Sequence, residues 1–187
     1  MKKINCKVDE KIITDYSLLK KKIEAYQTLG AKIVCTIGSW DMLHVGHVRY
    51  LTKASEYGDI LVVGVDSDRG IKLYKGPLRP IIPQNERMEM VSYQSCVDFV
   101  TIIDDIDGEG NWQYKLIKEI PFDVFIAVEG SSYTAEQKKK ISQHCQLEII
   151  PRQALDTSSS DIIQNVLKAN KDNILKVIEE TLSSTKI

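Results

Sequence analysis

The chain has 187 residues, enough for one domain that buries roughly two-thirds of its unfolded surface. Hydrophobic residues make up 43% and charged residues 27%, the proportions of an ordinary globular domain rather than a disordered one. Lys plus Arg number 25 against 26 Asp plus Glu; the net charge of -1 argues against a broad nucleic-acid-binding face and leaves room for a local basic patch around a small phosphorylated ligand.

After a polar start, DYSLLKKKIEAYQTLG predicts a helix, with Leu18, Leu19, Ile23 and Tyr26 at helical spacing, Asp15 as its cap and Gly30 at its end. AKIVCTI is a short β-branched run of buried-strand type. GSWDMLHVGH, from Gly38 to His47, follows it, and HVRYLTKASEYG is helical and closed by Gly58. DILVVGVDSD is a second apolar strand. RGIKLYKGPLRPIIP, with Gly70, Gly76 and three prolines, predicts a loop. QNERMEMVSYQS is helical, with Pro83 suited to its first turn. VDFVTII, FDVFIAV and QLEIIP are three further strands, separated by the helical stretches NWQYKLIKEI and TAEQKKKISQHC. TSSSDIIQNVLK places serine and threonine caps before an apolar-periodic helix, and DNILKVIEETLSS follows.

Uniformly apolar strands alternating with helices imply a parallel sheet covered on both faces. The expected fold is an α/β, Rossmann-like, doubly wound sandwich of about five strands. Ligands in such sheets bind beyond the carboxyl ends of the strands, where strand order reverses. GSWDMLHVGH lies at such an end.

Cys6, Cys35, Cys96 and Cys145 are scattered without a C-x-x-C pair, and His144-Cys145 has no second pair at zinc-ligand spacing. Cys35 and Cys96 read as small buried hydrophobes. With no apolar signal-peptide stretch at the start and no transmembrane-length apolar run, the expectation is a reduced, cytoplasmic protein without membrane or nucleic-acid partners.

Taken alone, His44 and His47 around Gly46 fit a metal site, a phosphate cradle or plain packing. The only nearby third ligand for a metal would be Asp41. Context favours phosphate: Gly38 and Ser39 end a strand, Gly46 opens a helix, and a helix N-terminus offers free N–H donors. TIGSWDMLHVGHVRYL resembles the H-x-G-H signature of the nucleotidyltransferase superfamily, with Trp40 where family members usually have phenylalanine. VDSDRGIKLYKGPLRPIIPQNERMEM is similar to the segment after the second strand of the bacterial heptose-1-phosphate adenylyltransferase domain, in its V-x-S-D turn, K-G-P…R-P loop and P-x-x-x-R helix start. DTSSSDII matches that family's S-T-T-x-I-I stretch, with Ser159 and Ser160 for the threonines. The resemblance covers residues 14 to about 168.

The resemblance implies that His44 and His47 contact nucleotide phosphates and stabilise a pentavalent transition state, with Lys75 and Arg87 completing the catalytic set. It places the amides of Ser39 and Trp40 at the α-phosphate. Asp41 orients the turn or caps it locally. Lys72, Lys75 and Arg79 are three cations in eight residues, suited to a triphosphate or to an incoming substrate phosphate. Ser158, Ser159 and Ser160 offer hydroxyl and N–H groups to the β- and γ-phosphates. Arg152 is a further cation whose register is open, and Asp66 and Asp68 end the second strand at the same edge, near where a metal or ribose would sit.

The implied reaction joins a nucleoside monophosphate, from ATP or else CTP, to a sugar or polyol phosphate and releases pyrophosphate. Mg²⁺ would bridge triphosphate oxygens and needs no protein cage of its own. The alternatives are a glycerol-3-phosphate-type cytidylyltransferase and a catalytically weak nucleotide-binding module. One departure bears on the acceptor: Glu129 and Ser132 stand where heptose-phosphate enzymes resemble V-K-G-G-D-Y, with lysine and aspartate. The expected organisation is a transferase domain over residues 1–168, with a helical lead-in at 14–30, and a helical extension over 169–187. Ile174, Val177, Ile178 and Leu182 share one face of that extension, which packs on its own domain or, as the often oligomeric relatives imply, forms a homodimer.

Overall fold

The structure is a computed structural model that describes residues 8–131, 133–154 and 157–184. Its elements are α1 (Val8–Lys11), α2 (Tyr16–Thr28), β1 (Ile33–Gly38), α3 (Val45–Ser55), β2 (Ile60–Asp66), α4 (Asp68–Lys75) and α5 (Gln84–Ser92), followed by β3 (Phe99–Ile103), α6 (Lys115–Glu119), β4 (Val124–Val128), α7 (Ala135–Ser142), β5 (Gln146–Ile150), α8 (Ser159–Ala169) and α9 (Lys171–Ser184). The five strands form one sheet in the order β3-β2-β1-β4-β5, and every pairing is parallel. The α/β doubly wound fold predicted from the apolar runs is the fold observed.

Alternation along each strand sends side chains to two separate cores. Ile33 and Cys35 of β1 and Val62 of β2 join Leu19 and Ile23 of α2, Leu116 of α6 and Ile141 of α7 on one face. Val34, Leu61, Val63 and Val65 meet Tyr50, Leu51 and Ala54 of α3 and Met88 and Val91 of α5 on the other. A buried side chain of this size contributes roughly 1.5–3 kcal/mol, so both faces hold the sheet. Across the β1/β4 reversal, Thr36 Oγ1 and Tyr50 OH lie 2.7 Å apart and both donate to the Ile126 carbonyl, at 3.0 Å each. That network locks β1, α3 and β4 together directly below the ends of the strands.

Two local expectations are corrected. Residues 69–83 do not form one loop: α4 occupies the first part, because Ser67 caps it by accepting the Gly70 N–H and Ile71 is fully buried. Gly76, with φ of 95°, then ends the helix. Conversely, the helix expected from Asn111 begins only at Lys115, because Asp107 gathers the N–H groups of Glu109 and Asn111 into a turn. Asp15 caps α2 as expected, accepting from Ser17 and Leu18. Cys35 and Cys96 are buried thiols, whereas Cys6 lies outside the described residues. No helix among the described residues is long and apolar enough to cross a membrane.

Candidate active site

The turn after β1 is left-handed at two non-glycine residues, Trp40 (φ 51°) and Met42 (φ 52°), a conformation costing of order 1–2 kcal/mol each. Tertiary anchoring holds it. The Trp40 ring is 5% exposed and its Nε1–H donates to the Gly64 carbonyl at 2.9 Å. A Cβ at Gly38 would come within 3.2 Å of that ring, so glycine there lets the indole lie against the strand. The aromatic wedge is therefore part of the floor beneath the cradle.

His44 is the N-cap of α3, and its Nδ1 accepts the Gly46 N–H at 3.1 Å. His47 Nδ1 accepts the His44 N–H at 3.4 Å, which closes a reciprocal capping box. Both Nδ1 atoms thus act as acceptors, which leaves the proton of each neutral ring on Nε2. The rings lie 4.0 Å apart between centroids, a separation at which two imidazolium charges would repel by about 4 kcal/mol at an effective dielectric constant of 20. Burial, with the charges of His44 and Lys75, pushes His47 down to about 4. Burial and then Arg152 lower His44 as well. The pair is a set of neutral N–H donors. A ¹⁵N NMR titration should therefore find His47 as the Nε2–H tautomer down to about pH 4. Titration in the ordinary range near 6.5 would contradict this packing. Because the folded value lies below the unfolded one, the neutral ring's contribution to stability is complete above roughly pH 6.5 and is lost as pH falls through about 4.

Asp41 is fully buried and does not cap its own turn. Its carboxylate accepts the N–H groups of Ile81 and Ile82 at 3.0–3.1 Å, and Arg79 Nη2 lies 2.6 Å away. Burial alone would raise its carboxyl; the Ile82 and Ile81 amides and the Arg79 guanidinium together hold it below its usual value. The Asp41 carbonyl accepts from Ser159 Oγ at 2.7 Å. One residue thus joins the histidine turn, the loop after α4 and the start of α8.

Lys75 ends α4 and its Nζ donates to Ser39 Oγ at 2.9 Å, beside the histidines; burial and then Arg79 lower its pKa. Lys72, one turn earlier, is exposed and lies outside the cleft, so the cluster of three cations is reduced to two at the site. Arg87 departs further from expectation. Its side chain is 1% exposed, and it donates to the carbonyls of Ile82, Ser39 and Asp66 and to the Asp68 carboxylate. It sits beneath the cradle as a clamp, because these acceptors use its guanidinium before any phosphate could.

The cradle opens into a cleft of about 790 Å³ at the carboxyl ends of the strands. His44, Gly46, His47, Lys75, Arg79 and Ser158–Ser160 line it together with Gly38, Ser39 and Trp40. Ser158 Oγ caps α8 by accepting the Asp161 N–H at 3.1 Å. Arg152 lines the cleft. Tyr74, Trp112, Tyr133 and Ser131 also line it, and of these Ser131 and Tyr133 stand in the stretch compared with V-K-G-G-D-Y. Glu129 is exposed and outside the lining, so the lost lysine charge does not face the cleft; Ser132 lies outside the described residues. Among the described residues no group of three His, Cys, Asp or Glu side chains could hold a metal ion. Asp41 and Asp68 each pair with an arginine.

A family model described as cytidylyltransferase-like matches residues 35–187. The bifunctional protein HldE of Geobacter metallireducens is 42% identical over 114 residues, which are 61% of this chain and 22% of that protein. That of Desulfatibacillum aliphaticivorans is 35% identical over 152 residues, 79% of this chain and 29% of that protein. The chain thus spans about a quarter of the length of the curated relatives it matches. The crystal structure of a lipopolysaccharide core biosynthesis protein from Thermoplasma volcanium is 28% identical, with a TM-score of 0.55, and covers 68% of this chain and 100% of its own.

Proposed function

The chain belongs to the cytidylyltransferase-like family, and from that premise we propose that it transfers a nucleoside monophosphate from a triphosphate to a sugar or polyol phosphate. The observation that carries this reading is the convergence of two neutral imidazole donors, Lys75, Arg152 and the capped start of α8 on one cleft. An ionised phosphate on the acceptor attacks the α-phosphorus in line. A new P–O bond forms, the α–β bridging bond breaks, and pyrophosphate leaves with the electron pair. The Nε2–H groups of His44 and His47 would meet the equatorial oxygens as charge gathers there. Ser158, Ser159 and Ser160 would receive the β- and γ-phosphates. Mg²⁺ entering with the triphosphate would supply charge neutralisation there.

The K-G-P…R-P resemblance favours ATP, with CTP as the alternative base. We extend the proposal to organisation: residues 1–168 form the transferase domain, and 169–187 form an arm. Ile174, Val177, Ile178 and Leu182 of α9 are all exposed, an apolar face of the arm that supports a homodimer through it. The decisive assay is pyrophosphate release with each triphosphate against a panel of sugar and polyol phosphates. Turnover with at least one acceptor is expected. Nucleotide binding without turnover on any acceptor would instead make the chain a nucleotide-binding module.

A further inference from the structure

In-line transfer divides the cleft into two ends. With pyrophosphate leaving toward Ser158–Ser160, the acceptor must approach from the opposite side of the α-phosphorus. Lys75 ends α4, the helix that follows β2 on the opposite side of β1 from β4 and β5, and its Nζ donates to Ser39 Oγ. Beyond it the cleft changes character. Asp66, the last residue of β2, lines the wall, and its Oδ2 accepts from Tyr74 OH at 2.6 Å. Burial raises the Asp66 carboxyl above its ordinary value against the opposing pull of Tyr74, Lys75 and Arg87. Tyr133 is close enough for the Asp66 charge to raise its hydroxyl further. Trp112 packs on Tyr133 at 6.4 Å between centroids and forms the apolar side of the same end.

An ionised carboxyl at this place repels the phosphates of both substrates, and its bond from Tyr74 leaves it further lone pairs for hydroxyl donors. We propose that Asp66 and Tyr74, walled by Trp112, read hydroxyl groups on the body of the acceptor. This rests on the nucleotidyl-transfer reading and, among sugar and polyol phosphates, selects those whose body carries hydroxyl groups and no further charged group. A carboxylate with free lone pairs accepts from hydroxyls, a tyrosine oxygen can accept another, and an aromatic face suits the C–H side of a sugar. A second acidic group on the acceptor is disfavoured by Asp66, and an ammonium group by the nearby Lys75. The pair therefore sets specificity rather than rate of bond-making.

The test uses the acceptor with the highest kcat/KM from the pyrophosphate panel and its monodeoxy analogues. Asp66→Asn and Tyr74→Phe should each lower kcat/KM for the full acceptor at least tenfold, with the nucleotide KM within twofold of wild type. The loss should shrink for the one analogue that lacks the hydroxyl being read. Equal losses on every analogue, or a nucleotide KM that rises in parallel, would overturn the assignment. Absence of turnover by the wild-type chain with every acceptor, with nucleotide still bound in calorimetry, would instead sink the transfer reading and this assignment with it.

Discussion

His47→Asn is expected to lower turnover at least a hundredfold while the protein stays folded. Asparagine keeps a carbonyl near the position of Nδ1, so the His44 N–H retains its acceptor and the start of α3 stays capped. What it lacks is the Nε2–H aimed into the cleft. Removing one fixed donor from a developing oxyanion costs roughly 10²–10³ in kcat, because the donor acts on charge that the ground state does not carry. The loss should fall on kcat, with a smaller change in nucleotide KM. His47→Gln makes the complementary change: it returns an N–H near Nε2 and gives up the capping acceptor, so it should recover part of the rate and lose some stability. Steady-state pyrophosphate release and a urea midpoint on each variant separate the two contributions. A near-native rate for the asparagine variant would remove His47 from the chemistry.

β1 to β4 were legible as apolar runs buried on both faces, with Thr36 and Thr101 the polar residues inside them, whereas the edge strand β5 carries Gln146 and Glu148 and is largely unburied. α4 was not, because Gly70 and the prolines beyond it look like breakers. A Cβ at Gly70 would sit 3.3 Å from Ser67 Oγ and 3.4 Å from Ile106, so the glycine serves close packing and the helix runs through it. The site divides in the same way. His44, His47 and the serine run stand in contiguous motifs whose chemistry follows from local caps. The Asp41–Arg79 pair joins positions 38 residues apart, and Arg87 reaches Ser39 across 48, so only the fold decides that these charges meet each other and not a ligand. Trp112, Tyr133 and Tyr74 reach the cleft from separate segments by the same route.

Arg87 yields the largest expected effect on stability. It gathers the carbonyls at the end of β1, the end of β2 and the start of α5 around one guanidinium, and it is the largest of the fully buried side chains. Arg87→Ala would strand three backbone carbonyls and the Asp68 carboxylate and would leave a cavity besides. Each buried acceptor left unpaired costs about 1–3 kcal/mol, and Asp68, a third exposed, adds less than a buried partner would; a total of about 3–5 kcal/mol lowers Tm by about 10 °C for a domain of this size. Arg87→Lys should recover little, because an ammonium on a linear stem cannot span the planar fork that meets Ile82, Ser39 and Asp66 together. If Arg87 instead held phosphate directly, the alanine variant would keep its Tm without nucleotide and lose mainly nucleotide affinity. Thermal unfolding of the variants with and without nucleotide separates these cases. A clamp shows the full loss in the free protein, and the stabilisation added by nucleotide stays close to that of wild type at equal ligand excess over Kd.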